Sequence, residues 1–374
     1  MSNKKTQRVK VCHLTSVHNR RDTRIFIKEC KSLQAHGYEV YLIVADGQGD
    51  EVDRGIRIID IGRPKGRLNR ILGTTKKVYH EALKVDADVY HFHDPELIFT
   101  GSKLLKKGKK VIYDVHEDVP RQIMTKPYIH PFLTKGISYF FEKIENWKSK
   151  RFDFIITSTA HIQERFLKIN NNTKAIHNFP FLQEFAEIQV NWADRRDVVC
   201  YVGGISKVRG NYENVEALSY IKRKMLLAGV FLPETYKQDL MNSAGWEYVE
   251  FLGFLDREGI QDVLSKSKAG LVTLHPTINY LDSLPVKMFE YMAAGIPVIA
   301  SDFDLWKSII EKENCGICVD PLNVEEIAKA IDRILADNKS ASEMGQNGKN
   351  AVMKKYNWET EKYNLLTIYD KLIS

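Results

Sequence analysis

"DSLPVKMFEYMAAGIPVIASD", residues 282–302, holds two elements back to back. Pro285 suits the first helical position, because its ring presets φ and the N–H it lacks would be unpaired there. Leu284 then becomes the cap residue, with no side-chain oxygen to accept from the amides of Val286, Lys287 and Met288. Gly295 ends the helix, and "PVIAS" (297–301) follows as a short buried strand. A helix running straight into a buried strand is the unit of an α/β fold. The opening turn carries a second message. Open amide donors, the positive end of the helix dipole and Lys287 in the first turn together describe an anion site. The plainer alternative is that water, Asp282 or Ser283 satisfies the turn.

The alternation extends along the chain. Apolar, strand-like runs occur at 10–16, 39–46, 56–61, 89–94, 110–116 and 153–158, mostly separated by amphipathic helical stretches. After an irregular stretch at 177–197, a second series follows: "VVCYVGG", "AGVFL", "YVEFLGF", "AGLVTLH", "PVIAS" and "CGICV". Two parallel-sheet, Rossmann-like domains are expected, 1–180 and 181–374, with the last helix folding back toward the first domain. Ligands of such sheets sit beyond the carboxyl ends of the strands, so two facing sheets imply an interdomain cleft.

Composition excludes several classes. With 374 residues, 44% hydrophobic and 28% charged, the chain is an ordinary globular one. No apolar run reaches the ~18 to 20 residues of a membrane span. The N-terminus moves into a strand without a signal-peptide core, so a cytoplasmic location is expected. Five scattered cysteines fit a reducing compartment. Cys315-Gly-Ile-Cys318 has redox or metal-ligand spacing, but no second pair accompanies it. Charge is uneven. Residues 1–180 hold 33 Lys+Arg against 20 Asp+Glu, a net of +13, and residues 181–374 hold 22 against 28, a net of −6. The basic residues cluster at 63–77, 103–110 and 126–151, the last interleaved with aromatics such as Phe132, Phe140 and Trp147. An anionic membrane surface is the expected partner. No nucleic-acid-binding signature is present.

"KMFEYMAAGIPVIASD" (287–302) resembles the nucleotide-binding segment of family 4 glycosyltransferases, retaining enzymes with the two-domain GT-B fold. "YVGGISKVRGNYENVEAL" (201–218) is similar to their phosphate loop, "ADVYHFHDPEL" (87–97) and "VIYDVHED" (111–118) to their first-domain strand ends, and "RDTRIFIKECKSLQAHGYEV" (21–40) to their first helix. The resemblance covers nearly the whole chain. It implies that a nucleotide sugar, with a UDP-sugar favoured, gives its sugar to a glycan or lipid-linked acceptor, as in bacterial surface polysaccharide assembly.

The chemistry needs fixed positive charge where a diphosphate leaves. Arg209 and Lys287 suit that role, with Gly203, Gly204, Asp282, Ser283 and Leu284 around the donor. By resemblance, Glu290 accepts from ribose hydroxyls and His116 contacts the donor sugar. The leaving phosphate itself can take the acceptor's proton, so no enzymic nucleophile is required. His18, Arg21, Asp22, His93, Asp94 and Glu117 are expected on the acceptor side, Asp22 also being a natural helix cap.

The chain departs from the family pattern at three places. Asp282 stands where a glutamate is common, Gly204 and Arg209 where an arginine and a lysine are common, and "SVHNRRDTR" (16–24) where a Gly-Gly loop is common. Two Asp-x-Asp patterns, Asp86/Asp88 and Asp302/Asp304, lack supporting ligands, and Asp304 reads as a helix cap, so metal-independent transfer is expected. Two further readings are a nucleotide-sugar epimerase of GT-B architecture and an inactive GT-B subunit that binds a glycan or partner. A dinucleotide oxidoreductase is disfavoured, because no G-x-G-x-x-G follows the first strand.

Overall fold

The computed structural model describes residues 8–124, 130–186, 188 and 191–374. Part of the basic run at 126–151, from Lys126 to Ile129, lies outside them. The chain divides into two units, Met1–Asn178 with Glu361–Ser374, and Phe179–Thr360. The second unit therefore stops short of the expected end at 374. Most of the last helix, Trp358–Ile373, belongs with the first unit, where Asn364 accepts from Lys174 and Asp370 from Tyr38.

The first unit carries β1 (Lys10–Leu14), β2 (Glu39–Val44), β3 (Glu51–Asp53), β4 (Ile56–Asp60), β5 (Val89–Phe92), β6 (Lys110–Val115), β7 (Phe154–Thr157) and β8 (Thr173–Ala175). They form one sheet in the order β3-β4-β2-β1-β5-β6-β7-β8, parallel except where short β3 turns back on β4. Strand alternation sorts the side chains. Cys12, Leu14, Tyr90, Phe92, Val111, Tyr113 and Val115 enter one apolar core. The intervening residues on the same three strands are His13, His91, Ile112 and Asp114, all buried. Pairing sets His13 level with His91 on neighbouring β1 and β5.

The second unit carries β9 (Val198–Val202), β10 (Lys224–Ala228), β11 (Val249–Gly253), β12 (Ala269–Val272), β13 (Val298–Ser301) and β14 (Gly316–Val319), in the order β11-β10-β9-β12-β13-β14, all parallel. Val198, Cys200 and Val202 of β9 enter one core, and Val199 and Tyr201 the other. A strand buried on both faces reads as a continuous apolar run, as "VVCYV" does.

Three expected boundaries move. The strand expected at "AGVFL" (228–232) is Lys224–Ala228 instead, because the chain bends at Gly229, where a Cβ would stand 1.7 Å from the Gly203 carbonyl oxygen. Pro285 is the cap of the helix Val286–Ala293, with ψ 124°, and displaces Leu284 from that position. Asp304 is the first residue of the helix Asp304–Glu313, whose cap is Phe303.

Candidate functional site

In the second unit, β9 runs into Gly203-Gly204 and a short turn, Lys207–Arg209, ahead of the helix Asn211–Ile221. A Cβ on Gly204 would lie 2.5 Å from Arg209 Nη1, which donates to the Gly204 carbonyl at 3.2 Å. A Cβ on Gly203, at φ 130°, would lie 3.2 Å from Lys287 Nζ. Only glycines let both cations approach the loop backbone so closely.

Lys287 is the unusual group. Its ammonium is buried, finds no hydrogen-bond acceptor among the described residues, and sits 3.8 Å from the centroid of the Tyr201 ring. A buried ammonium without an acceptor is costly, and the ring face offsets part of that cost. No side chain caps the helix that carries it. The Met288 amide, expected to be open, turns back to the Pro285 carbonyl at 3.0 Å, while those of Val286 and Lys287 have no backbone partner among the described residues. Tyr291, one turn on, receives the Val202 amide at 3.1 Å and fixes the end of β9 to the same helix.

The remaining expected donor residues are placed as follows. Glu290 accepts from Arg257 Nη1 at 2.8 Å, and Arg257 also binds Glu184. Ser283 donates to the Tyr280 carbonyl at 3.0 Å, and its own carbonyl accepts from Trp306 Nε1 at 2.6 Å. Leu284 is half-buried and Asp282 exposed. Arg257 was not singled out by sequence reading, since its partners lie 33 and 73 residues away.

The first unit gathers a buried polar network at the ends of β1, β5 and β6. Arg24 donates through Nε and Nη2 to both oxygens of Asp114, at 2.9 and 2.8 Å. Asp114 Oδ2 faces His116 Nε2 at 2.9 Å and His93 Nδ1 at 3.2 Å. Burial alone pushes the Asp114 carboxyl up, but the charges of Arg24 and His116 outweigh it and hold it well below the usual range. The carboxylate accepts only, so it selects the Nδ1–H tautomer of His93, whose Nε2 faces His13 Nδ1 at 2.9 Å. Burial lowers His93 to about 4, partly offset by Asp114.

Beside it, His18 Nδ1 faces Asp22 at 3.2 Å and Nε2 faces Asp94 at 3.5 Å, with its ring 5.0 Å from that of His116. Burial lowers the His18 pKa, but the Asp22 hydrogen bond and Asp94 together raise it overall. Asp22 caps the following helix, accepting from the Arg24 and Ile25 amides at 2.9 Å each. Asp94 accepts from Thr15 Oγ1 at 2.8 Å and the Ser16 amide at 2.5 Å.

Two expected acceptor-side residues stand apart from this network. Arg21 pairs with Glu51 at 2.5 Å and Asp53 at 2.7 Å on β3, and exposed Glu117 binds Gln122. Arg20 likewise closes on Asp46 and Glu51. In the first acidic pair Asp88 accepts from the Lys10 amide and Asp86 pairs with Lys109; in the second, Asp302 and Asp304 are both exposed, and the Asp302 amide binds the Val319 carbonyl. Burial pushes the Cys315 and Cys318 thiols up to about 12, which leaves them inert. Sequence reading did not connect His13, His91, Glu29 and Tyr369 to this network. The parallel β1/β5 register is the signal that joins His13 to His91.

Comparison with known proteins agrees with both halves. The profile described as Glycosyltransferase Family 4 matches residues 24–179, and that described as Glycosyl transferases group 1 matches 183–351. The glycosyltransferase MJ1607 of Methanocaldococcus jannaschii is 27% identical over 236 residues, 58% of this chain and 59% of that relative. Sucrose-phosphate synthase of Thermosynechococcus elongatus has the same fold, with a TM-score of 0.77 at 19% identity over 98% of this chain and 99% of that one. HepE of Anabaena, solved with UDP-glucose, has a TM-score of 0.72 at 16% identity over 97% of this chain and 99% of that one. The chain belongs to the family 4 glycosyltransferases, enzymes of the two-domain GT-B fold.

Proposed function

We propose that this enzyme takes its sugar from a nucleoside-diphosphate donor, a UDP-sugar being favoured, and passes it with retained configuration to a glycan or lipid-linked acceptor in bacterial surface polysaccharide synthesis. The supporting observation is Lys287, a buried ammonium without an acceptor set beside Gly203-Gly204 and Arg209. When the bond between sugar and phosphate breaks, charge grows on the diphosphate, and fixed cations stabilise that state more than the ground state. Two such cations meet the charge demand without a metal in the transfer step. The UDP-glucose bound by HepE supports uridine as the nucleoside. In the first unit, His116 and the His18, Asp22 and Asp94 group offer hydrogen bonds suited to sugar hydroxyls. A thermal-shift screen against UDP-, GDP- and ADP-sugars tests the donor, since a ligand of the native state raises its stability. A UDP-sugar is expected to give the largest rise, followed by product only when acceptor is added. Product without acceptor supports an epimerase, and no shift with any donor counts against transfer from a nucleotide sugar.

A specific surface favours a lipid-linked acceptor. The helix Pro131–Ser149 exposes Phe132, Leu133, Tyr139, Phe140 and Trp147, Phe132 at 88% and Phe140 at 68%, while Phe141 is half-buried. Lys143 stands over the Tyr139 ring and Lys148 over Trp147, at 5.1 and 4.0 Å. Among the described residues no helix is long and apolar enough to cross a membrane. Such a helix suits an anionic leaflet, each basic group contributing about 1 kcal/mol. Sedimentation with anionic liposomes is expected to carry the protein down at low salt and to fail after Lys143, Lys148, Lys150 and Arg151 are changed to Gln. Equal behaviour with neutral and anionic liposomes contradicts this.

A further inference from the structure

Four buried side chains of the first unit converge on one point, among them His93, which was expected on the acceptor side. His13 of β1, His91 of β5, His93 just beyond it and Glu29 of the helical segment Thr23–Cys30 are each fully buried. One ligand atom from each lies within 4.8 Å of all the others. Glu29 Oε2 is 3.9 Å from His13 Nδ1 and 4.0 Å from both His91 Nδ1 and His93 Nε2. His13 Nδ1 and His93 Nε2 are 2.9 Å apart.

We propose that these four residues form a structural site for a divalent transition-metal ion, with zinc the best match. Three imidazoles and a carboxylate are the donor set that zinc takes in tetrahedral geometry. Bonds of about 2.0 to 2.2 Å set the ligand atoms about 3.3 Å apart; four of the six separations run from 2.9 to 4.0 Å, and all six lie within 4.8 Å. Small side-chain shifts close the shell, exchanging the His13–His93 contact and the Tyr369 hydroxyl at His91 Nδ1 for the ion.

Two independent features support the assignment. His93 turns Nε2 to the centre while Nδ1 is held by Asp114, the carboxylate–histidine arrangement that orients metal ligands. The second feature is Glu29, a fully buried carboxyl group that shares Arg24 with Asp114. Among the described residues neither Glu29 oxygen receives a hydrogen bond of good geometry, although Arg24 Nε lies 3.2 Å from Oε1. Complete burial makes the site closed and structural, joining β1, β5 and the first helix, and places the metal outside the transfer chemistry.

The test measures zinc in full-length protein purified without a histidine tag, as isolated and after refolding with zinc or with chelator. The expected result is about one zinc per chain, a lower Tm after refolding with chelator, and an X-ray absorption edge fitted by nitrogen and oxygen at about 2.0 to 2.1 Å with imidazole scattering. Glu29→Gln and His91→Gln should lose the ion. Should either fail to fold, the absorption spectrum of the wild-type protein decides alone. Zinc below about a tenth of an equivalent after refolding with the metal overturns the site, as do a sulfur shell or full zinc retention by both variants.

Discussion

Replacing Lys287 by methionine keeps an unbranched side chain, one atom shorter, and removes its charge, so it separates stability from function. In the free protein the ammonium is buried with no acceptor among the described residues and 3.8 Å from the Tyr201 ring centroid. A buried donor without a partner costs about 1 to 3 kcal/mol, and a desolvated cation–π contact returns about 0.5 to 2 kcal/mol. At mid-range values, a cost of about 2 against a return of about 1.2 kcal/mol, methionine relieves about 1 kcal/mol, and at roughly 2 to 4 °C per kcal/mol the variant melts about 2 to 4 °C above the wild type. Activity moves the other way. Loss of one preorganised cation costs about ten- to a thousandfold in turnover. Nucleotide linkage gives the cleanest readout: UDP at a hundred times its Kd adds about 2.7 kcal/mol to the wild type, or roughly 5 to 10 °C, and the variant should lose most of that shift. Differential scanning fluorimetry with and without UDP measures both effects. A variant less stable than wild type that keeps its full UDP shift refutes the reasoning.

Arg209→Ala should also cost about ten- to a thousandfold in turnover, and its combination with the Lys287 change should fall short of additivity, because the two groups share one ligand. Glu290→Gln should weaken donor affinity by about ten- to a hundredfold with unchanged circular dichroism, the worth of a charge-assisted hydrogen bond; a fully active Gln variant removes the ribose role. Gly204→Ala brings a methyl group within 2.5 Å of Arg209 Nη1 and 2.8 Å of Leu232 Cδ1, both ends of flexible side chains, so turnover should fall while Tm barely moves. The pH dependence has a definite sign. The His18 pKa is raised by Asp22 and Asp94 against the effect of burial, so its contribution to stability is complete below about pH 6 and fades as pH climbs through the folded value. Asp22 is held low by His18 and the Ile25 amide against burial, so its contribution is lost only as pH falls through its depressed value. The Tm gap between wild type and His18→Gln should therefore be wider at about pH 5 than at about pH 9, and an equal gap at both contradicts the pairing.

The α/β alternation was legible because buried parallel strands are apolar on both faces and stand out from the helices between them. The strand at 224–228 was misplaced because "KMLLA" and "AGVFL" are equally apolar. A glycine's close approach to Gly203, a tertiary fact, decides between them. The opening turn at Pro285 was legible as a donor-rich helix start, and the burial of the Lys287 ammonium under Tyr201 was not, since nothing local links residues 201 and 287. The same distance hid Arg257 behind Glu290. In the first unit, His93 and His116 were visible as strand ends, whereas Glu29 looks like any charged residue of an amphipathic segment until β1 and β5 bring His13 and His91 against it. Arg21 misled for the opposite reason, as its carboxylate partners Glu51 and Asp53 come from β3.

A crystal structure of the enzyme with UDP tests the central claim most directly. The account predicts the diphosphate beside Gly203 and Gly204, with phosphate oxygens about 2.7 to 3.0 Å from Lys287 Nζ and the Arg209 guanidinium. UDP bound elsewhere, with Lys287 still facing only the Tyr201 ring and Arg209 still on the Gly204 carbonyl, would contradict it.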